Sequence, residues 1–203
     1  MTTNNFPQSV VGWTAIATGV SVILAVIFVL LMVTVDVSFG TVNDVFNGIL
    51  GILSGILAWM LYPGHHARSP LLSQIALVLA VVGVIFTIVG SVLIIFDFTG
   101  FVLAGWYTAV GNALIGLWLG AFCTSTLRER GDTLPHSLVR FGLVVGAIMG
   151  IGMLCIPGIL AGVDSMASLP WYLLAGCFGF LGTYILYPIW TIWLGRILIK
   201  RNS

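Results

Sequence analysis

A bundle of six membrane-spanning α-helices is the fold class this chain predicts, and three observations predict it. Apolar residues make up 60% of the 203 positions and charged ones only 6%, where a soluble domain carries roughly a quarter charged. Mean hydropathy is +1.17. The apolar residues form six long runs separated by short polar turns, each run near the roughly 20 residues that a helix needs to cross a bilayer core. A single transmembrane domain over residues 1–203 follows.

Helix 1 is expected over about 11–35, from just before Trp13 to just before Asp36. Its Thr and Ser residues can hydrogen-bond their own backbone and need no further role. The segment ahead of it lacks a basic stretch, so no cleaved signal is expected. Thr41-Val-Asn-Asp44 has the spacing of a capping box, which starts helix 2 at about residue 42. Pro63-Gly64 is expected to stop it at Tyr62, after a length of roughly 31 Å. His65-His66-Ala67-Arg68-Ser69-Pro70 makes a polar turn, and helix 3 spans about 72–96. Asp97-Phe-Thr-Gly100 reverses the chain into helix 4, about 101–127. The polar loop from Arg128 to His136 leads into helix 5, about 137–160, where Pro157-Gly158 should bend or end it. Helix 6 begins at Pro170-Trp171 and runs to about 199, with a kink expected at Pro188.

The seven bases, Arg68, Arg128, Arg130, Arg140, Arg196, Lys200 and Arg201, all fall on one side of this six-span plan. The opposite loops and helix ends carry Asp36, Asp44, Asp97 and Asp164. The positive-inside rule then places both termini in the cytoplasm. Trp106 and Trp171 are expected near the outer interface, and Trp13, Trp59, Trp190 and Trp193 near the inner one.

Helices 2 and 4 share a stripe: Asn47-x3-Gly51-x3-Gly55 and Asn112-x3-Gly116-x3-Gly120. Positions four apart lie on one helix face, so each stripe is smooth and headed by one amide. Helices 4 and 6 share Trp-Tyr-x3-Gly at 106–111 and 171–176, and helices 2 and 6 share Leu-Tyr-Pro at 61–63 and 186–188. These echoes suggest three helical hairpins in one orientation. Asn47 and Asn112 invite two readings. One is a packing seam in which the amide bonds a neighbouring helix, and this is preferred. The other is a small polar ligand cavity made with Tyr107, Thr108 and Thr183.

Composition and placement also exclude much. No basic patch suits nucleic acid. All acids and bases lie in loops or within about two turns of a span end, which argues against proton-coupled transport and voltage sensing. Cys123, Cys155 and Cys177 sit in apolar runs and are expected as small filler. No histidine lies where it would ligate a buried haem. His65, His66 and His136 are expected as solvated loop residues, with no metal. Ser54, Ser91, Cys123 and Cys155 lack an in-span base, so no catalytic residue is assigned. A cytoplasmic-face site from Arg128, Arg130, His136 and Arg140 would handle phosphate; contact with anionic head groups is the preferred account.

In helix 6, Tyr187-Pro-Ile-Trp190-Thr-Ile-Trp193-Leu-Gly-Arg196, with the Asn-rich lead into Trp13, resembles small six-helix bacterial membrane proteins grouped as a domain of unknown function. The resemblance implies the bacterial cytoplasmic membrane and no particular activity. Tyr187, Trp190 and Trp193 recur at spacing three, and Arg196 suits a cation–π contact with Trp193. In size and topology the chain is also similar to the substrate-binding subunits of vitamin importers, which dock through small-residue faces; Ala15-x3-Gly19 offers one. The expected function is an integral membrane protein without a catalytic site or cofactor, which binds a hydrophobic or lipid-like ligand or serves as an accessory subunit. The alternative is a transporter component for a small neutral solute, and after it a membrane enzyme. Membrane lipids are expected partners, with partner membrane subunits or further copies of the chain.

Overall fold

A computed structural model of the chain describes residues 6–128, 134–165 and 170–201, the side chain of Arg68 excepted. Arg130 and the asparagines of the N-terminal lead lie outside the described residues. Six helices are long and apolar enough to cross a membrane: α1 (Gln8–Thr34), α2 (Phe39–Arg68), α3 (Pro70–Ile95), α4 (Phe101–Arg128), α5 (His136–Leu160) and α6 (Trp171–Lys200).

Helix α2 differs from expectation at both ends. It begins at Phe39, ahead of the capping box, and neither Thr41 nor Asp44 caps it. The Asp36 turn does that work: Oδ1 of Asp36 accepts from the Ser38 amide at 2.8 Å and its carbonyl accepts from Phe39 at 3.2 Å. The Ser38 hydroxyl and amide hold the Asp36 carboxyl below the usual carboxylate range. At the other end α2 runs through Pro63 to Arg68. Proline removes one backbone bond, and the flanking turn is held by Nδ1 of His66, 3.1 Å from both the Tyr62 hydroxyl and the Ser73 hydroxyl of α3. His65 is therefore buried inside a helix rather than solvated in a loop.

The prolines of α5 and α6 act through the turn before them. Pro157 has no N–H to return to the Met153 carbonyl, and residues Ile151–Cys155 tighten into a 3-10 turn in which Ile156 takes that acceptor. Ahead of Pro188 the chain widens instead, into a π turn over Gly182–Leu186 closed by the Tyr187 amide on the Gly182 carbonyl. Pro170 precedes α6 as its N-cap rather than occupying its first turn.

Neighbouring helices run antiparallel. α1 packs between α2 and α6, α2 against α3, and α4 between α3 and α5. Helix α4 is the centre: 72% of its most apolar window is buried, against 28–44% for the others. Its crossing with α3 is close, since a Cβ on Gly83 would lie 2.7 Å from the Gly111 carbonyl oxygen. The Gly116–Gly120 stripe faces α5, where a Cβ on Gly146 would meet the Gly120 amide at 2.9 Å. The Gly51–Gly55 stripe faces Thr87 and Val84 of α3. The small-residue face of α1 is occupied within the chain: Ala15 is buried, and a Cβ on Gly19 would meet the Pro188 carbonyl at 3.0 Å. That face is not open to a partner.

Trp106 and Trp190 face the protein interior rather than the surface of the bundle. Both are buried, because each indole N–H finds a carbonyl: Val163 at 3.0 Å for Trp106, and Leu138 at 3.2 Å for Trp190. Trp13, Trp59 and Trp171 are exposed. Tyr187 and Trp190 stack in the core, while Trp193 lies against Phe141 rather than Arg196.

Candidate functional site

Three helices bring a polar cluster into the bundle half that holds the α1–α2 and α3–α4 turns. The Tyr184 hydroxyl donates to Oδ1 of Asn47 at 2.8 Å, Nδ2 of Asn47 donates to Oδ1 of Asn43 at 3.0 Å, and Nδ2 of Asn43 donates to the Ala25 carbonyl at 2.7 Å. The chain of bonds joins α6 to α2 and α2 to α1. On α2 the two asparagines are one turn apart, and Asp44 follows the first. Tyr184 reaches them from the π turn of α6, the kind of local irregularity that often marks a functional position.

Beside the cluster is a cavity of about 410 Å³, within the roughly 300–1,000 Å³ range of small-molecule sites. Asn43, Asp44, Asn47, Thr108 and Tyr184 line it, and its walls are largely apolar, with Val26, Val29, Phe101, Phe180, Leu181 and Ile185. Cys177 also lines it. Asp44 is only 8% exposed, lies in the second turn of α2 inside the span, and has no hydrogen bond or ion pair among the described residues. Placing it at a helix end as a capping residue misjudged it.

The five residues singled out from the sequence separate. Asn47 and Thr108 meet at the cavity. Tyr107 points elsewhere, its ring 5.9 Å from Phe86 of α3. Thr183 is buried and donates to the Gly179 carbonyl of its own helix. Asn112 lies one turn beyond Thr108 on α4; it is buried, and neither amide atom has a partner among the described residues. It therefore does not bond a neighbouring helix, contrary to the seam reading. The cavity also takes in Asn43, Asp44 and Tyr184, which the sequence does not single out as ligand contacts. The i, i+4 spacing of Asn43 and Asn47, with Asp44 between them in an apolar helix, was the available signal. No family model, curated protein or solved structure matches the chain.

Two further hollows frame it. One of about 320 Å³ lies at the opposite end of the bundle, lined by Val11, Met60, Leu61, Phe122, Leu194 and Leu198. Between the two are the Tyr187–Ser54 hydrogen bond at 3.0 Å and buried Trp118. The other hollow is a groove of about 800 Å³ on the outside of α6, where Ile189, Ile192 and Trp193 lead to Arg196 and Lys200. Tyr184 and Ile185 line both this groove and the inner cavity. Arg128, His136 and Arg140 are exposed and line none of these hollows. Among the described residues no group of three metal-ligating side chains gathers.

Proposed function

We propose that this chain is a non-enzymatic membrane protein that binds a hydrophobic or lipid-like small molecule in the cavity beside Asn47 and Tyr184. The observation that carries the proposal is a cavity of about 410 Å³ with apolar walls and one polar edge, the form that holds an amphiphile by its head and buries its tail. The outer groove shares two wall residues with it, which supports entry from the bilayer. Arg196 and Lys200, at the groove's far end and away from the cavity, suit the head groups of surrounding anionic lipid rather than the cavity's occupant. The base distribution supports cytoplasmic termini, and the Tyr187–Arg196 resemblance supports a bacterial cytoplasmic membrane. Native mass spectrometry of gently extracted protein tests the proposal: a bound small molecule or lipid is expected, and a bare chain contradicts it.

An alternative, a transporter component for a small neutral solute, has its own support in Asn112, a buried amide without a partner among the described residues and one turn deeper than the cavity, and in the second hollow at the far end. It predicts that Asn112→Ala abolishes swelling of proteoliposomes in glycerol or urea while thermal stability holds. Unchanged swelling would remove it.

A further inference from the structure

We propose that the polar edge of this cavity recognises a protonated amine, so that the ligand class is a cationic amphiphile whose ammonium head pairs with Asp44. This rests on the cavity being a ligand site.

The carboxylates argue for it by elimination. Asp36 accepts from Ser38 in a turn, Asp97 is exposed, and Asp164 accepts from the Gly100 and Leu103 amides at 2.6 and 3.0 Å, capping α4. Among the described acids only Asp44 is buried without a partner. A carboxylate taken out of water is costly unless paired, and among the described residues no lysine or arginine lines the cavity.

The neighbouring hydrogen bonds point the same way. The hydroxyl proton of Tyr184 goes to Asn47, and that of Thr108 goes to the Ala104 carbonyl at 3.3 Å. One amide proton of each asparagine is also taken, by Asn43 and by the Ala25 carbonyl. The hydroxyls therefore offer the cavity lone pairs rather than protons, beside a carboxylate. An ammonium carries three donors and no acceptor, and it complements that edge. A carboxylate or phosphate head would meet the Asp44 carboxylate and those lone pairs, with only the second N–H of each asparagine to offset them.

Cys177 gives the assay its readout, because it lines the cavity whereas Cys123 and Cys155 are buried in the packed core. The chain is placed in phosphatidylcholine nanodiscs and labelled with a small neutral thiol reagent. Protection of Cys177 is followed by peptide mass spectrometry. The probes are octylammonium and octanol, each titrated and compared by its concentration in the membrane. Octylammonium is expected to protect at an at least tenfold lower concentration, since hydrogen bonds to charged groups are the stronger kind. Asp44→Asn should erase that difference and leave octanol unchanged. Equal protection by the two probes on wild type, or a preference that persists in Asp44→Asn, overturns the amine assignment. If Asp44→Asn does not fold, the wild-type comparison decides alone. Protection by octanol without an amine preference removes only this assignment. Failure of both probes on wild type removes the ligand site with it.

Discussion

Asn47 and Asn112 head identical stripes, yet their amides live differently. Asn47 bonds both Tyr184 and Asn43, while Asn112 bonds nothing among the described residues. Removing a partner from a buried pair leaves an orphaned group at about 1–3 kcal/mol, although side-chain bonds between membrane helices average nearer 0.6 kcal/mol. Asn47→Ala should therefore lower unfolding stability in detergent by about 1–2 kcal/mol, and Asn112→Ala should leave it unchanged or raise it. Equal losses at both positions would contradict this. The repeat of the Asn was legible in the sequence; its partner was not, because a tyrosine 137 positions away supplies the bond. Asp44 was legible too, but its place near a predicted helix start made capping the simplest account. The Asp36 turn moves that start to Phe39 and leaves Asp44 facing the cavity.

At the scale of elements, the glycines divide by what a methyl group would meet. At Gly111 it would run into backbone, with the Gly83 carbonyl oxygen at 2.6 Å, whereas at Gly120 and Gly64 it would meet nothing within 4 Å. Gly111→Ala should therefore destabilise the α3–α4 crossing by about 1–3 kcal/mol, as overpacking does. Gly120→Ala and Gly64→Ala should be neutral or stabilising by up to about 1 kcal/mol, through helix propensity. Thermal denaturation of the three variants in one detergent checks the order. The spacing that made these glycines visible did not sort them, because the sorting depends on which neighbour each face meets. Asp164 shows the same limit. It stood out only as a loop acid, but its two bonds cap α4 across more than sixty residues. Loss of such a cap costs about 0.5–2 kcal/mol, so Asp164→Ala should lower the melting temperature even though the residue is exposed.

For the whole molecule, six apolar runs were enough to foretell six helices, because each run must satisfy its own backbone in lipid. Interior irregularities were less legible. Pro157 and Pro188 announced disturbances, but a tightened turn in α5 and a widened one in α6 depend on the packing around them. The widened turn carries Tyr184 to Asn47, and with it the wall between the inner cavity and the outer groove. On the proposed topology, both termini should be protease-protected in intact spheroplasts when tagged. Digestion of either tag would invert the orientation without touching the cavity. The central claim, that a hydrophobic or lipid-like molecule occupies that cavity, has a direct handle in Gly105, which lines the space and has nothing within 4 Å of an added Cβ. Native mass spectra of wild type and Gly105→Leu, extracted side by side at matched stability, test it. Wild type is predicted to carry a bound small molecule or lipid that the variant lacks; equal loading of the two, or a bare wild type, would contradict the account.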